Sequence, residues 1–280
     1  MSYTIKTKLT KTFIYIFLVI LFLITIVPVW ILLINATRST PEIQQGVSLL
    51  PSNNLLNNWK YLTGKGANIW RGFINSALIS IPATLLTVYF SMMTAYAIQV
   101  YDFAYKKILY NIIILLTIIP TQMASIIGFY KYMSMLNLLN SYIPLIIPAI
   151  AAPPMVFFAS QYLESTLVKD LIESARIEGA SEIGIFHRII LPIAKPGAFT
   201  MGILSFVASW NNFFTPFMLI SKVEKYTLPM MVKLLRGDMY RTEYGAIYLG
   251  LAITVIPIII VYAMFSKYII SGISLGSVKD

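Results

Sequence analysis

The sequence predicts an all-α integral membrane protein with six transmembrane helices in a single domain of residues 1–280. Composition is the first indication, because 58% of the residues are hydrophobic and 11% are charged, with a mean hydropathy of +0.77; soluble domains are nearer half apolar and a quarter charged. The second indication is a set of six uncharged runs, each of which exceeds the roughly 20 helical residues that cross the hydrocarbon layer. These runs also lack the alternating polarity of barrel strands, and a helix satisfies its own backbone hydrogen bonds.

Six uncharged runs give the predicted helices in order. The first follows three lysines and resembles a signal peptide, but it is too long and lacks a small-residue cleavage site, so we interpret it as an uncleaved span. Prolines within the runs are expected to form kinks, and the fourth run, which carries four of them, is expected to begin irregularly. The predicted spans are residues 12–37, 72–101, 108–130, 140–163, 196–221 and 244–266.

The distribution of basic residues gives a small preference for one orientation. Six spans place both termini and the loops 102–107 and 164–195 on one side of the membrane. Eleven lysine and arginine residues lie on this side and ten on the other. The positive-inside rule therefore gives little preference for either orientation. Lysines before the first span and in the short 102–107 loop favour cytoplasmic termini.

Composition excludes several kinds of site. Without cysteine there is no disulfide, cysteine-ligated metal or thiol catalysis, and one histidine excludes a histidine-rich metal site. The net charge of +10 is typical of basic residues that flank spans, so no nucleic acid partner is expected. The run cores lack ionisable residues, which ion-coupled carriers usually need, and the sequence lacks the GxxxxGK[ST] phosphate loop. We expect no cofactor in this chain, and energy for pumping would come from another subunit.

Residues 164–195 form a charged island in this apolar chain. They include nine charged residues, five of them among the chain's eleven acidic ones. From Leu163 onward, apolar residues recur at the spacing of an amphipathic helix. Gly179 fits the C-terminus of that helix, Ser181 fits the N-cap of a second, and Pro192 is expected to end it. The pattern predicts a helix–turn–helix on the membrane surface, and a solvated amphipathic loop is the alternative.

The island resembles the EAA loop of ABC importer permeases, a pattern of E-A-A, three residues, G, nine residues and I-x-L-P. Serine replaces the middle alanine. The runs at 175–181 and 188–197, and further stretches over nearly the whole chain, are similar to the maltose-type carbohydrate branch of that family. At the spacings of the pattern the sequence has Glu173, Ser174, Ala175, Gly179, Ile189, Leu191 and Pro192.

The resemblance implies a type I ABC importer permease fold with cytoplasmic EAA coupling helices in the 164–195 loop. It implies a non-catalytic subunit that forms half of a sugar pathway in the cytoplasmic membrane of a bacterium. Its partners would be a second permease subunit, two ATPase subunits that bind ATP and Mg, and an extracytoplasmic solute-binding protein. A secondary carrier or channel for a small neutral solute is the alternative. The expected ATPase-coupling residues are Glu173, Ser174, Ala175, Arg176, Glu178, Gly179, Leu191 and Pro192.

Two other regions are candidate sites. Trp210, Asn211 and Asn212 are polar or amphipathic within the apolar fifth run; they either bond neighbouring helices or line a wet translocation pathway, which the resemblance favours. The loop 222–243 mixes charged and aromatic residues, which suits a salt-sensitive docking surface, and its counterpart in the family reaches the binding protein. A solvated loop is the alternative. Its expected contact residues are Tyr226, Arg236, Met239 and Tyr240.

Overall fold

The structure is a computed structural model that describes residues 3–64, 68–119, 126–235 and 242–275. Every regular element in these ranges is helical, which confirms the all-α prediction. Within them, four segments are long and apolar enough to cross a membrane, and a pair of helices bent by 81° would make a fifth. The four are Lys11–Asn35, Ile69–Val100, Ile143–Thr166 and Tyr244–Lys267, and the bent pair is Glu182–Ile193 with Lys195–Trp210.

The chain divides into two compact units, the first of which comprises Met1–Ile69 and Met231–Ile256. Asn58 is buried here, and its amide donates to the carbonyl oxygens of Ala36 at 2.8 Å and Arg38 at 2.9 Å. A Cβ on Gly245 would lie 2.2 Å from that Arg38 oxygen, so only glycine permits this approach. The helices wholly in this unit are α1 (Tyr3–Asn35), α2 (Thr40–Gln44) and α3 (Leu55–Gly64).

The second unit comprises Trp70–Met230 and Pro257–Asp280. Its helices are α4 (Ile69–Val100), α5 (Lys106–Ile118), α6 (Ile126–Met135), α7 (Ile143–Ile146), α8 (Pro153–Thr166), α9 (Lys169–Ile177), α10 (Glu182–Ile185), α11 (Leu191–Ile193), α12 (Lys195–Trp210) and α13 (Phe214–Leu219). Helices α14 (Leu228–Leu234) and α15 (Tyr244–Leu275) have residues in both units. A buried apolar cluster joins α4, α8 and α12 to the segment 172–190, so the charged island is attached to the helical body through its apolar residues.

The helices differ in places from the uninterrupted spans that the sequence predicts. The third run contains α5 and α6, and residues 120–125 between them lie outside the described part, so a third span stays a prediction. The fourth run begins with α7 and a 3₁₀ turn at Ile147–Ile150 before α8 starts at its two prolines, which confirms the irregular start. The fifth run is broken at 211–213, where two consecutive asparagines follow α12.

Close packing of α8 against α12 gives a test of the fold. A Cβ on Gly197 would lie 2.7 Å from the buried ring of Tyr162, whereas one on Gly202, in the same helix, has no described neighbour nearer than 3.9 Å. Overpacking typically costs about 1–3 kcal/mol. Gly197→Ala should therefore lower the melting temperature of the purified protein, and Gly202→Ala should not. Equal melting temperatures for the two variants would contradict this packing.

Candidate functional site

The turn of the charged island is a Schellman motif built on Gly179. Helix α9 ends at Ile177, and Gly179 adopts a φ of +82°. The amide of Gly179 donates to the carbonyl of Arg176 at 3.0 Å, and the amide of Ala180 donates to that of Ala175 at 2.9 Å. Both hydrogen bonds satisfy carbonyls at the helix end. The prediction of a glycine turn is confirmed, and no described atom lies within 4 Å of a Cβ placed on Gly179, so only its φ demands glycine.

The second arm of the island begins at the predicted cap but ends later than expected. The Ser181 hydroxyl accepts from the amide of Gly184 at 3.2 Å and caps α10. A π-helical turn, Phe186–Ile190, follows and leads directly into α11. Pro192 was expected to end the second helix, and this is wrong. It lies in the first turn of α11, where its missing amide hydrogen costs nothing, and the chain continues to Ile193.

The two faces of the island differ in exposure. Ile172, Ile185 and Ile190 are buried in the cluster with Met92 of α4, so part of the predicted apolar stripes packs on the helical body. Three other members of the stripes are exposed, namely Val168, Leu171 and Ile183. Ala175 and Leu191 are half-buried, and Ser174 donates to the carbonyl of Asp170 at 2.9 Å, so serine fits in place of alanine. The exposed members of the expected coupling set are Glu173, Ser174, Arg176, Glu178, Gly179 and Pro192.

Glu182 binds three side chains, and sequence reasoning did not include it among the candidate site residues. Its carboxylate accepts from Arg176 Nε at 2.7 Å and from the same guanidinium at 3.2 Å. It also accepts from the hydroxyl of Tyr96 at 2.9 Å and from that of Tyr101. Arg176 is one of the expected ATPase-coupling residues, and its guanidinium pairs within this chain because the turn at Gly179 folds the two arms together. Glu182, Arg176, Tyr96 and Tyr101 are called the carboxylate hub below.

Electrostatics keep the hub intact over the ordinary pH range. The hydrogen bond from Arg176, followed by that from Tyr101, lowers the pKa of Glu182 to about 2. A carboxylate whose pKa is lower in the folded state stabilises the fold above its unfolded value, and this stabilisation is lost only as the pH falls toward the folded value. The window of loss therefore runs from about pH 4.5 down to about pH 2. The hub does not act as a switch near neutral pH.

Trp210, Asn211 and Asn212 lie at the break between α12 and α13, with different environments. Trp210 is 2% exposed, and its ring packs 5.4 Å from Phe73 and 5.4 Å from Phe206, measured between ring centroids. Its side chain therefore packs inside the chain and presents almost no surface. Asn212 Oδ1 accepts at 3.3 Å from the amide of Thr215 in the first turn of α13. Asn211 is exposed, so it alone of the three presents its side chain fully at the surface.

The first part of the loop 222–243 is held by side-chain amides. Asn140, with a φ of +58°, accepts on Oδ1 from the amides of Ser221 and Lys222 at 2.7 and 3.0 Å. Asn75 donates to the carbonyl of Tyr226 at 2.9 Å. Tyr226 is half-buried. The other expected contact residues, Arg236, Met239 and Tyr240, lie outside the described residues.

Comparison with known proteins identifies relatives over almost the whole chain. Residues 88–275 match the family described as "Binding-protein-dependent transport system inner membrane component". The arabinooligosaccharides transport system permease protein AraQ of Halalkalibacterium halodurans is 34% identical over 91% of this chain and 92% of its own length. AraQ of Bacillus subtilis is 32% identical over 94% of each chain. The diacetylchitobiose uptake system permease protein NgcG of Streptomyces coelicolor is 29% identical over 91% of this chain and 85% of its own.

A solved structure shares the fold. It is the crystal structure of a bacterial ABC transporter involved in the import of the acidic polysaccharide alginate, and the similarity covers 96% of this chain and 99% of the matched chain. The TM-score is 0.80 at 20% sequence identity. At this identity the similarity shows a common ABC transporter permease fold.

Proposed function

Because the chain belongs to the family of binding-protein-dependent transport system inner membrane components, we propose that it is one transmembrane subunit of an ATP-driven sugar importer. The names of its relatives support a carbohydrate substrate, since they describe permeases for arabinooligosaccharides and diacetylchitobiose. The observation that carries the proposal is the helix–turn–helix of residues 169–193, whose backbone is capped at both sides of the turn. A secondary carrier or channel has no separate ATPase subunit for such an element to bind.

The outer surface of this turn has the character of a protein-binding site. Ile177 and Ile183, on either side of the turn, are 87% and 68% exposed, and the exposed carboxylates of Glu173 and Glu178 lie in the same segment. Apolar side chains with a polar rim are typical of interfaces. We assign this surface to a cytoplasmic ATPase subunit, which would bind ATP and Mg because this chain has no phosphate loop. Glu173 is the proposed polar anchor, as in the EAA pattern.

The exposure of the first helix supports the proposal that a second permease subunit is present in the complex. Every residue from Lys11 to Trp30 is exposed, although the segment Lys11–Asn35 has a hydropathy of 3.1. Such a helix needs lipid or an apolar partner around it. We propose that it contacts both the bilayer and a homologous permease, and that the heterodimer encloses the pathway. Six spans with both termini in the cytoplasm are the topology that places the island beside the ATPase.

The loop 222–243 is the proposed contact with the solute-binding protein on the other side of the membrane. Lys222, Val223 and Glu224 are exposed at its start. The backbone around them is fixed because Asn75 donates to the carbonyl of Glu224 and Asn140 accepts from the amide of Lys222. A fixed segment of mixed charge loses little entropy on binding and is sensitive to salt. Tyr226, Arg236, Met239 and Tyr240 remain the proposed contact residues.

Asn211 provides the test of the pathway. It is exposed at the break of the fifth run, where an amide in contact with lipid would be costly, so we propose that it faces the wet pathway. Trp210 and Asn212 stabilise the break through contacts inside the chain. Asn211→Ala should reduce sugar uptake without changing the amount of assembled complex, whereas Asn57→Ala, at an exposed amide in α3, should not reduce uptake. Uptake at the normal rate in Asn211→Ala would remove this residue from the pathway.

Gly179 provides the test of coupling. Its φ of +82° costs a residue with a Cβ about 1 kcal/mol or more, and a β-branched residue is strained most. Gly179→Val should therefore abolish uptake and the ATP hydrolysis that the sugar-loaded binding protein stimulates, while the assembled permease pair is retained. Gly179→Asn is the matched control, because asparagine tolerates this conformation and should keep most of the activity. Full transport by Gly179→Val would show that the turn does not couple the ATPase to the permease.

A further inference from the structure

Helix α4 is attached by polar side chains to both of the proposed docking segments. It runs from Ile69 to Val100 and continues through Pro82. Near its C-terminal end it meets the carboxylate hub, and near its N-terminal end it meets the loop that begins at residue 222.

The C-terminal attachment joins α4 to both arms of the island. Tyr96 is 4% exposed, and its hydroxyl donates to Glu182 of α10. Tyr101, just beyond the helix, donates to the same carboxylate, and the Arg176 guanidinium of α9 lies 5.6 Å from the centre of its ring. A buried tyrosine hydroxyl that loses its acceptor is costly, so these bonds favour movement of α4 together with the island.

The N-terminal attachment joins α4 to the backbone of residues 224–228. Asn75 is buried, and its amide donates to the carbonyls of Glu224 and Tyr226, both at 2.9 Å. The amide of Leu228 donates to the buried hydroxyl of Ser76 at 2.9 Å. Because these bonds are made to backbone atoms of the loop, they fix the path of the loop backbone independently of the conformations of its side chains.

The distance between the attachments is close to the thickness of a membrane. Asn75 and Tyr96 are 21 residues apart in one helix, which is about 32 Å at the α-helical rise. The other routes in this unit are less direct, since the run containing α12 breaks at 211–213 and the one containing α8 begins irregularly. An unbroken helix attached at both ends gives one element whose position two sites can bias.

We propose that α4 transmits the state of the ATPase from the carboxylate hub to the loop segment 222–228, with Tyr96, Tyr101 and Asn75 as positioning residues. By linkage, binding of the solute-binding protein to that segment would bias the island to the same extent. This inference rests on the proposed function, because it assumes an ATPase at the island. It adds a defined route and three residues with no assigned role.

The chain has no cysteine, so a single introduced thiol reports on the outer segment. Val223 is 46% exposed next to the attached backbone, and Val223→Cys can be labelled with a membrane-impermeant maleimide in the reconstituted complex. The labelling rate is measured without nucleotide and after trapping of the ATPase with ATP and vanadate. We expect the two rates to differ by about fivefold, the lower end of typical coupling.

Variants at each end then test the route. Tyr96→Phe with Tyr101→Phe should make the two rates equal while the complex still assembles, and Asn75→Ala should do the same from the other end. Tyr110→Phe is the matched control, because it removes a tyrosine hydroxyl that accepts from Gln161 at 2.9 Å in the contact between α5 and α8. It should leave the fivefold difference unchanged.

The outcomes separate the inference from the proposed function. A nucleotide-dependent difference that persists in both the tyrosine pair variant and Asn75→Ala overturns the role of α4, as does equal labelling in the parent Val223→Cys complex that hydrolyses ATP. If the tyrosine pair variant does not assemble, Asn75→Ala decides alone. A parent complex that neither retains an ATPase nor traps vanadate contradicts the proposed function itself.

Discussion

The carboxylate of Glu182 accepts hydrogen bonds from three side chains that come from separate parts of the chain. Arg176 belongs to the arm before the turn, and Tyr96 and Tyr101 belong to the end of α4 and the residue just beyond it. The Schellman turn at Gly179 allows the two arms to fold back, but it does not fix their position on the helical body. Glu182 supplies that constraint in polar form, next to the apolar contacts of Ile172 and Ile185. The position of the exposed surface of the turn therefore depends on the hydrogen bonds of Glu182 and on these apolar contacts.

The division between an apolar helical body and a charged island follows from the high cost of placing charged side chains in the membrane. Helices in lipid carry few charges, so a cytoplasmic motor can act on them only by moving a rigid segment that lies in water. The segment must also hold the helices firmly, which the buried residues of the island do in the cluster with α4, α8 and α12. Exposed isoleucines beside the turn provide the surface that we assign to the proposed ATPase subunit.

Local physical rules allowed much of this to be predicted from sequence, whereas distant contacts were not predictable. Gly179 and Ser181 were located correctly because a left-handed C-terminus and an N-cap are set by neighbouring residues. Pro192 was misread because a proline that ends one helix has the same signature as one that starts another. The bonds of Glu182 to Tyr96 and Tyr101 join residues 86 and 81 positions apart, and no spacing rule reaches so far. Burial of Trp210 between two phenylalanines is likewise a tertiary property.

Contact between the turn and the ATPase is the central claim, and cross-linking in the purified transporter measures it most directly. The parent chain has no cysteine, so Ile177→Cys can be labelled with a benzophenone maleimide at a site that is 87% exposed beside Gly179. After irradiation, mass spectrometry should identify adducts with the ATPase subunit both without nucleotide and with ATP and vanadate. The same label on Val47→Cys, 77% exposed in the loop after α2, should give none. Adducts of Ile177→Cys with lipid or the partner permease alone would contradict the account.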